Sequence, residues 1–79
     1  MKYSDYMIGS VVRDLRLKKG FTLTEGAEYV GLSTSTYNRI ENGLSPFHLR
    51  DFIEFCYSYN IHSSTFFTRL KNFEPKVLL

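Results

Sequence analysis

Residues 31–43, GLSTSTYNRIENG, hold the densest run of side chains able to do non-covalent chemistry in this sequence. Ser33, Thr34, Ser35 and Thr36 stand in a row, and Asn38, Arg39, Glu41 and Asn42 follow. Hydroxyls and amides both donate and accept hydrogen bonds, while a guanidinium carries a fixed fork of donors. The chemistry on offer is therefore recognition of polar edges rather than bond making. A glycine stands at each end of the run, so the segment reads as a short helix between two stops. Two readings are open at this point. The run is a solvated surface helix with a good N-cap, or its outer face is kept short and polar because it enters something.

Reactive chemistry is poorly provided for. His48 and His62 share no spacing with other ligands, and Cys56 is the single cysteine. No nucleophile, base and orienting group can be assembled from these and scattered carboxylates, so no enzyme, metal or cofactor is expected. One cysteine cannot staple the chain, which fits a reducing compartment. The opening MKYSDYMIGS lacks the apolar run of a signal peptide, and no stretch has the length of a membrane span. A cytoplasmic protein without membrane contact is expected.

The elements that must position the polar run are helical. The chain has 79 residues, 43% of them hydrophobic, with seven Phe and six Tyr, enough for one small all-α domain. Ile8, Val11, Val12 and Leu15 keep helical spacing over residues 6–18, with Gly20 as the stop. Lys18 and Lys19 fall at that helix's C-terminal end, where the helix dipole favours cations. Thr22 caps a second helix with Glu25 in capping-box spacing, and Gly31 ends it. Ser33 caps the third, which turns Tyr37 and Ile40 inward and leaves Thr34, Ser35, Asn38 and Arg39 outside. Ser45 and Pro46 start a fourth, with Leu49, Phe52, Ile53, Cys56 and Tyr59 as its apolar stripe and Phe55 and Tyr57 off it. Ser63 or Ser64 caps a fifth, containing Phe66, Phe67 and Leu70.

Helix two, a tight turn on Gly31 and helix three follow helix-turn-helix spacing. The segments IGSVVRDLRLKKGFT, AEYVGLSTSTYNRIENG and YNIHSSTFF together resemble the Cro/C1-type helix-turn-helix regulators over roughly residues 8–67. The resemblance implies a compact five-helix bundle of the lambda-repressor-like type over residues 1–71, with 72–79 as a C-terminal tail. It also implies a sequence-specific DNA-binding regulator, a repressor, acting as a homodimer on an inverted-repeat operator. Thr34, Ser35, Asn38 and Arg39 match base-reading positions. Asn42 matches a backbone-contacting one, and Arg16, Lys18, Lys19, Thr22, Ser33 and Thr36 join it along the phosphates. Arg16 and Glu41 match an ion pair that joins helix one to the end of helix three while sparing an N–H for phosphate.

Three features depart from the family. Leu23 replaces a Gln that touches DNA, Gly26 replaces a buried Leu or Val, and the loop LSPF after Gly43 lacks phosphate-binding cations. Tyr37, larger than the family's Ile or Val, is the expected filler above Gly26. Net charge is only +2, so non-specific affinity for DNA should be modest. The surplus of rings in the C-terminal half points to a dimer surface at Phe55, Tyr59, Phe66, Phe67 and Phe73, with a protein partner as another user of that half. Val77, Leu78 and Leu79 are expected to fray or to pack on a partner. Other readings of the same fold stay open: an antitoxin, a restriction-modification controller, or a protein-interaction module that has lost DNA binding.

Overall fold

The computed structural model describes residues 2–73, so the apolar end of the tail lies outside the described residues. Five helices follow in order: α1 (Asp5–Lys18), α2 (Leu23–Tyr29), α3 (Thr34–Glu41), α4 (Leu49–Ser58) and α5 (Ser63–Lys71). None of them is long and apolar enough to cross a membrane.

The starts follow the sequence reading closely. Ser4 caps α1 by accepting from Met7 N–H. Thr22 and Glu25 form a reciprocal box: Thr22 N–H donates to the Glu25 carboxylate at 2.8 Å, and Glu25 N–H donates to Thr22 Oγ1 at 3.1 Å. That arrangement holds the Glu25 carboxyl below its ordinary pKa. Ser33 accepts from Thr36 N–H at 3.1 Å and so starts α3. At α5 the cap is His62 rather than Ser63 or Ser64, its Nδ1 accepting from Ser64 N–H at 3.2 Å.

The first four helices end on one device. Phe21, Leu32, Leu44 and Ile61 each donate their backbone N–H five residues back, to Arg16, Ala27, Arg39 and Cys56. The residue preceding each donor, Gly20, Gly31, Gly43 or Asn60, has positive φ. This is the Schellman closure, which satisfies carbonyls that the last turn leaves open. At Gly31, φ of +69° makes the sharp turn between α2 and α3 that an L side chain would strain.

Two expectations about α4 are corrected. The helix begins at Leu49, not at Ser45 or Pro46. Phe47 packs on the core cluster, its ring stacked 6.1 Å from Phe66, and His48 after it is still extended, capping the helix that follows. The buried stripe is also turned from the expected one. Phe55 and Tyr59 are buried, Phe52 and Cys56 half-buried, and Leu49 and Ile53 exposed. Phe55 therefore faces the core and not a partner. Tyr59 and Phe66 are buried beside it, which removes all three from the expected dimer surface. Phe67 keeps an exposed face, and Phe73 meets Tyr6 edge-on at 6.2 Å.

The core runs from Val11, Val12 and Leu15 of α1 through Ala27, Val30 and Tyr37 to Phe55, Tyr59 and Phe66. Aromatic pairs dominate its C-terminal half, with Phe55 and Tyr59 rings 4.2 Å apart and Phe52 edge-on to Phe66 at 5.1 Å. Cys56, half-buried on α4, has its thiol pKa raised by burial, which leaves it a packing residue.

Candidate nucleic-acid interface

Helix α3 is held from behind and bare in front. Its inner side is Tyr37, Ile40 and Glu41, all buried. Gly9 of α1 lies so close to the Ile40 carbonyl that no Cβ fits there, and the Glu41 carbonyl is the next atom it would meet. Gly43, at φ +73°, brings the end of α3 against the Tyr6 backbone, where a Cβ would stand 2.7 Å from Tyr6 Cα. The C-terminal half of α3 thus touches α1 backbone to backbone.

Arg16 completes the clamp. Its Nε donates to Glu41 Oε2 at 2.7 Å and its Nη2 to Glu41 Oε1 at 3.0 Å, a bidentate fork. Nη1 donates to the Phe21 carbonyl at 2.9 Å, tying in the turn before α2. The Glu41 carboxylate raises the Arg16 pKa above its ordinary value. Both side chains are buried. Arg16 is therefore a structural residue first, with three of its five N–H groups committed inside the fold.

A second buried polar link stands beside the clamp. The Tyr37 and Tyr59 hydroxyls lie 2.8 Å apart, and burial pushes both phenols above their ordinary pKa. Gly26 makes room for this pair. A Cβ at Gly26 would sit 2.6 Å from the Tyr59 hydroxyl and 2.6 Å from Arg16 Cδ. The space above Gly26 is thus filled by Tyr59 and the Arg16 stem, not by the Tyr37 ring. Leu23 is half-buried against the core cluster, so the residue in the place of a DNA-touching Gln has been drawn into packing.

The outer face carries the polar run. Thr34, Ser35, Asn38 and Arg39 are all exposed, and Ser35 and Arg39 are four residues apart on one side of the helix. Thr34 and Ser35 make no side-chain hydrogen bond among the described residues. Ser33 Oγ donates to Thr36 Oγ1 at 3.0 Å. Asn42 Nδ2 donates to the Asn38 carbonyl at 2.8 Å and to Asn38 Oδ1 at 3.0 Å. The Asn38 NH₂ makes no hydrogen bond among the described residues. Arg39 folds along the turn after α3, Nε donating to Ser45 Oγ at 3.1 Å and Nη2 to the Leu44 carbonyl at 3.2 Å. The sequence reading did not find that resting place for Arg39, nor the Asn38–Asn42 link. The second had a signal in the four-residue spacing of the two amides; the first had none.

Lys18, Lys19, Thr22 and Asn42 are exposed. Lys18 and Lys19 line a shallow groove with Asn60, His62 and Arg69, and Thr22 caps the next helix. The turn Leu44–Phe47 brings no cation. Among the described residues no cluster of His, Cys, Asp and Glu suits a metal.

The sequence matches the helix-turn-helix family over residues 12–56, more than half of the chain. No curated protein matches it. Among solved structures it is similar to the clp gene regulator ClgR from Corynebacterium glutamicum, at TM-score 0.80 and 20% identity, covering 86% of this chain and 88% of that one. The restriction-modification controller C.AhdI from Aeromonas hydrophila superposes at TM-score 0.73 and 22% identity, covering 78% of this chain and 94% of that one. A mutant of the restriction-modification controller C.Esp1396I does so at 0.78 and 19%, covering 86% and 88%. At these identities the likeness speaks for the fold.

Proposed function

The chain belongs to the Cro/C1-type helix-turn-helix family, and on that premise we propose that it is a DNA-binding transcription regulator that reads its site with α3. The observation that carries this reading is the division of α3 into a clamped inner side and an exposed face of short polar side chains. A major groove about 12 Å wide admits a helix only if its leading residues are short. Thr34 and Ser35 meet that demand, bonding base edges or touching a thymine methyl. Asn38, held by Asn42, donates to a base acceptor. Arg39 swings from its exposed bonds to Ser45 and Leu44 and pairs with guanine O6 and N7. Asn42, Thr22, Ser33, Thr36, Lys18 and Lys19 meet phosphates along the flanks. That the similar structures are described as a gene regulator and as restriction-modification controllers supports the regulatory role.

The protein acts as a homodimer on an inverted repeat and represses by occupying the operator. Half-sites one turn apart set recognition helices about 34 Å from each other. A protomer of 36 × 25 × 24 Å suits two copies side by side at that spacing.

Selection of bound sequences from a random duplex pool, with Arg39→Ala in parallel, tests the reading. A palindrome relaxed at one position per half-site in the variant is expected, with a loss of about 1–3 kcal/mol at that position. Equal losses on operator and random DNA would remove Arg39 from base reading. A second reading, a protein-interaction module of the same fold, is favoured by the cation-free turn Leu44–Phe47 and by Leu23. It predicts no enrichment and no steep fall of binding with salt.

A further inference from the structure

We propose that the outer stripe of α4, Leu49, Ile53 and Tyr57, is the surface through which two copies of this chain pair; the proposal rests on the homodimer reading and gives it a location. These residues stand at four-residue intervals on one side of the helix and are 72%, 59% and 84% exposed. Phe67 of α5, 49% exposed, extends the patch, its ring 5.3 Å from that of half-buried Phe52. Among the described residues no other helix shows three large apolar side chains in such register on its solvent side.

The size suits a second copy. Taking about 150–250 Å² for a whole aromatic side chain, the four residues leave roughly 500 Å² of apolar side chain in water. That is the scale of the largest patch on a monomer and marks an interface. Doubled across a two-fold axis it reaches about 1,000 Å², the lower bound for a specific interface. An i, i+4, i+8 row is also the ridge that packs beside its own copy at about 50° between helix axes. Tyr57, the most exposed of the large apolar side chains, is of the type that anchors interfaces.

Charge favours a copy over another partner. The stripe is flanked by Arg50 and Glu54, one cation and one anion. Although four residues apart, they do not bridge each other. Glu54 instead accepts from Ser58 Oγ at 2.9 Å, and Arg50 makes no hydrogen bond or ion pair among the described residues. A two-fold axis near residue 52 runs the helices antiparallel, with each Ile53 beside its counterpart, each Tyr57 beside the other copy's Leu49, and each Arg50 within reach of the other copy's Glu54. A basic or acidic partner would match only one of the two charges.

Sedimentation velocity of the full chain over a range of concentrations, alone and with operator DNA, tests the proposal. The natural chain is expected to dimerise, and Ile53→Glu to weaken dimerisation at least about a hundredfold with unchanged helical circular dichroism, since Ile53 lies outside the core. Arg50→Glu and Glu54→Arg should each weaken it about tenfold, and the double reversal should restore it. A natural chain and an Ile53→Glu variant that dimerise equally would overturn this surface and leave the homodimer standing. A chain monomeric at every concentration, also on DNA, would overturn the homodimer and the surface with it.

Discussion

Gly26→Ala should destabilise this protein although it puts a better helix former inside a helix. In an open helical position the exchange stabilises by about 1 kcal/mol. Here the new methyl would lie 2.6 Å from the Tyr59 hydroxyl and 2.6 Å from Arg16 Cδ, a full ångström inside ordinary contact. Neither neighbour yields easily. Tyr59 is a buried ring whose hydroxyl meets Tyr37, and Arg16 is fixed by three hydrogen bonds. Overpacking of this kind costs about 1–3 kcal/mol, and loosening a buried hydroxyl adds about 1–3 kcal/mol. Against the propensity gain the net loss should be about 3 kcal/mol, or a Tm lower by roughly 12–24 °C in a domain this small. Urea and thermal melts followed by circular dichroism give the number. The cause can be isolated on a Tyr37→Phe/Tyr59→Phe background, which removes both hydroxyls together. There Gly26→Ala should cost at least about 1 kcal/mol less, because only the Arg16 stem is still in the way. A Gly26→Ala or Gly26→Leu chain more stable than the natural one would refute the reasoning, since it would mean that the space above Gly26 is open.

Two further outcomes follow from the buried polar groups. Glu41→Gln should cost about 3–5 kcal/mol in a urea melt, because it leaves the Arg16 guanidinium buried without its counter-charge; an Arg16→Met/Glu41→Leu pair should cost less than either single change. Tyr37 and Tyr59 hold raised pKa values in the fold, chiefly through burial, so the unfolded chain releases those protons first as pH rises. Their contribution to stability is whole below the ordinary phenol pKa near 10 and is lost above it. An absorbance titration should therefore show two of the six tyrosines ionising only as the fold is lost.

Much of this architecture could be read directly. Gly20, Gly31 and Gly43 announce three helix ends, and Thr22 with Glu25 announces a start, because caps and stops are local and need no tertiary partner. The outward set on α3 was legible for the same reason, Tyr37 and Ile40 being the only large apolar residues between Thr34 and Glu41. The phase of α4 was not. Leu49, Phe52, Ile53, Cys56 and Phe52, Phe55, Cys56, Tyr59 both keep helical spacing, and an apolar arc wider than half the helix leaves periodicity without a vote on which of its edges is buried. Packing decides it, through Phe47, whose seat in the core also delays the helix start past Pro46. Asn60 as a fourth helix stop, in the conformation that glycine takes elsewhere, carried only a weak signal. The occupant of the space at Gly26 comes from a helix more than thirty residues downstream, and Arg16 meets Glu41 across twenty-five. Such long-range partners leave no local trace, and the ion pair was reached through family likeness alone.

The backbone contact of α3 with Gly9 and Tyr6 has a consequence for how such a protein can change. Everything that locates the helix acts at its inner side and its C-terminal end: the Ile40 and Glu41 carbonyls, the Glu41 carboxylate and Gly43. Thr34, Ser35, Asn38 and Arg39 bear none of that weight. Substitutions at exposed positions of this sort usually shift stability by less than about 0.5 kcal/mol. If these four residues read DNA as proposed, they can be rewritten while the frame stays still, so that a lineage can acquire a new target site without passing through an unfolded ancestor.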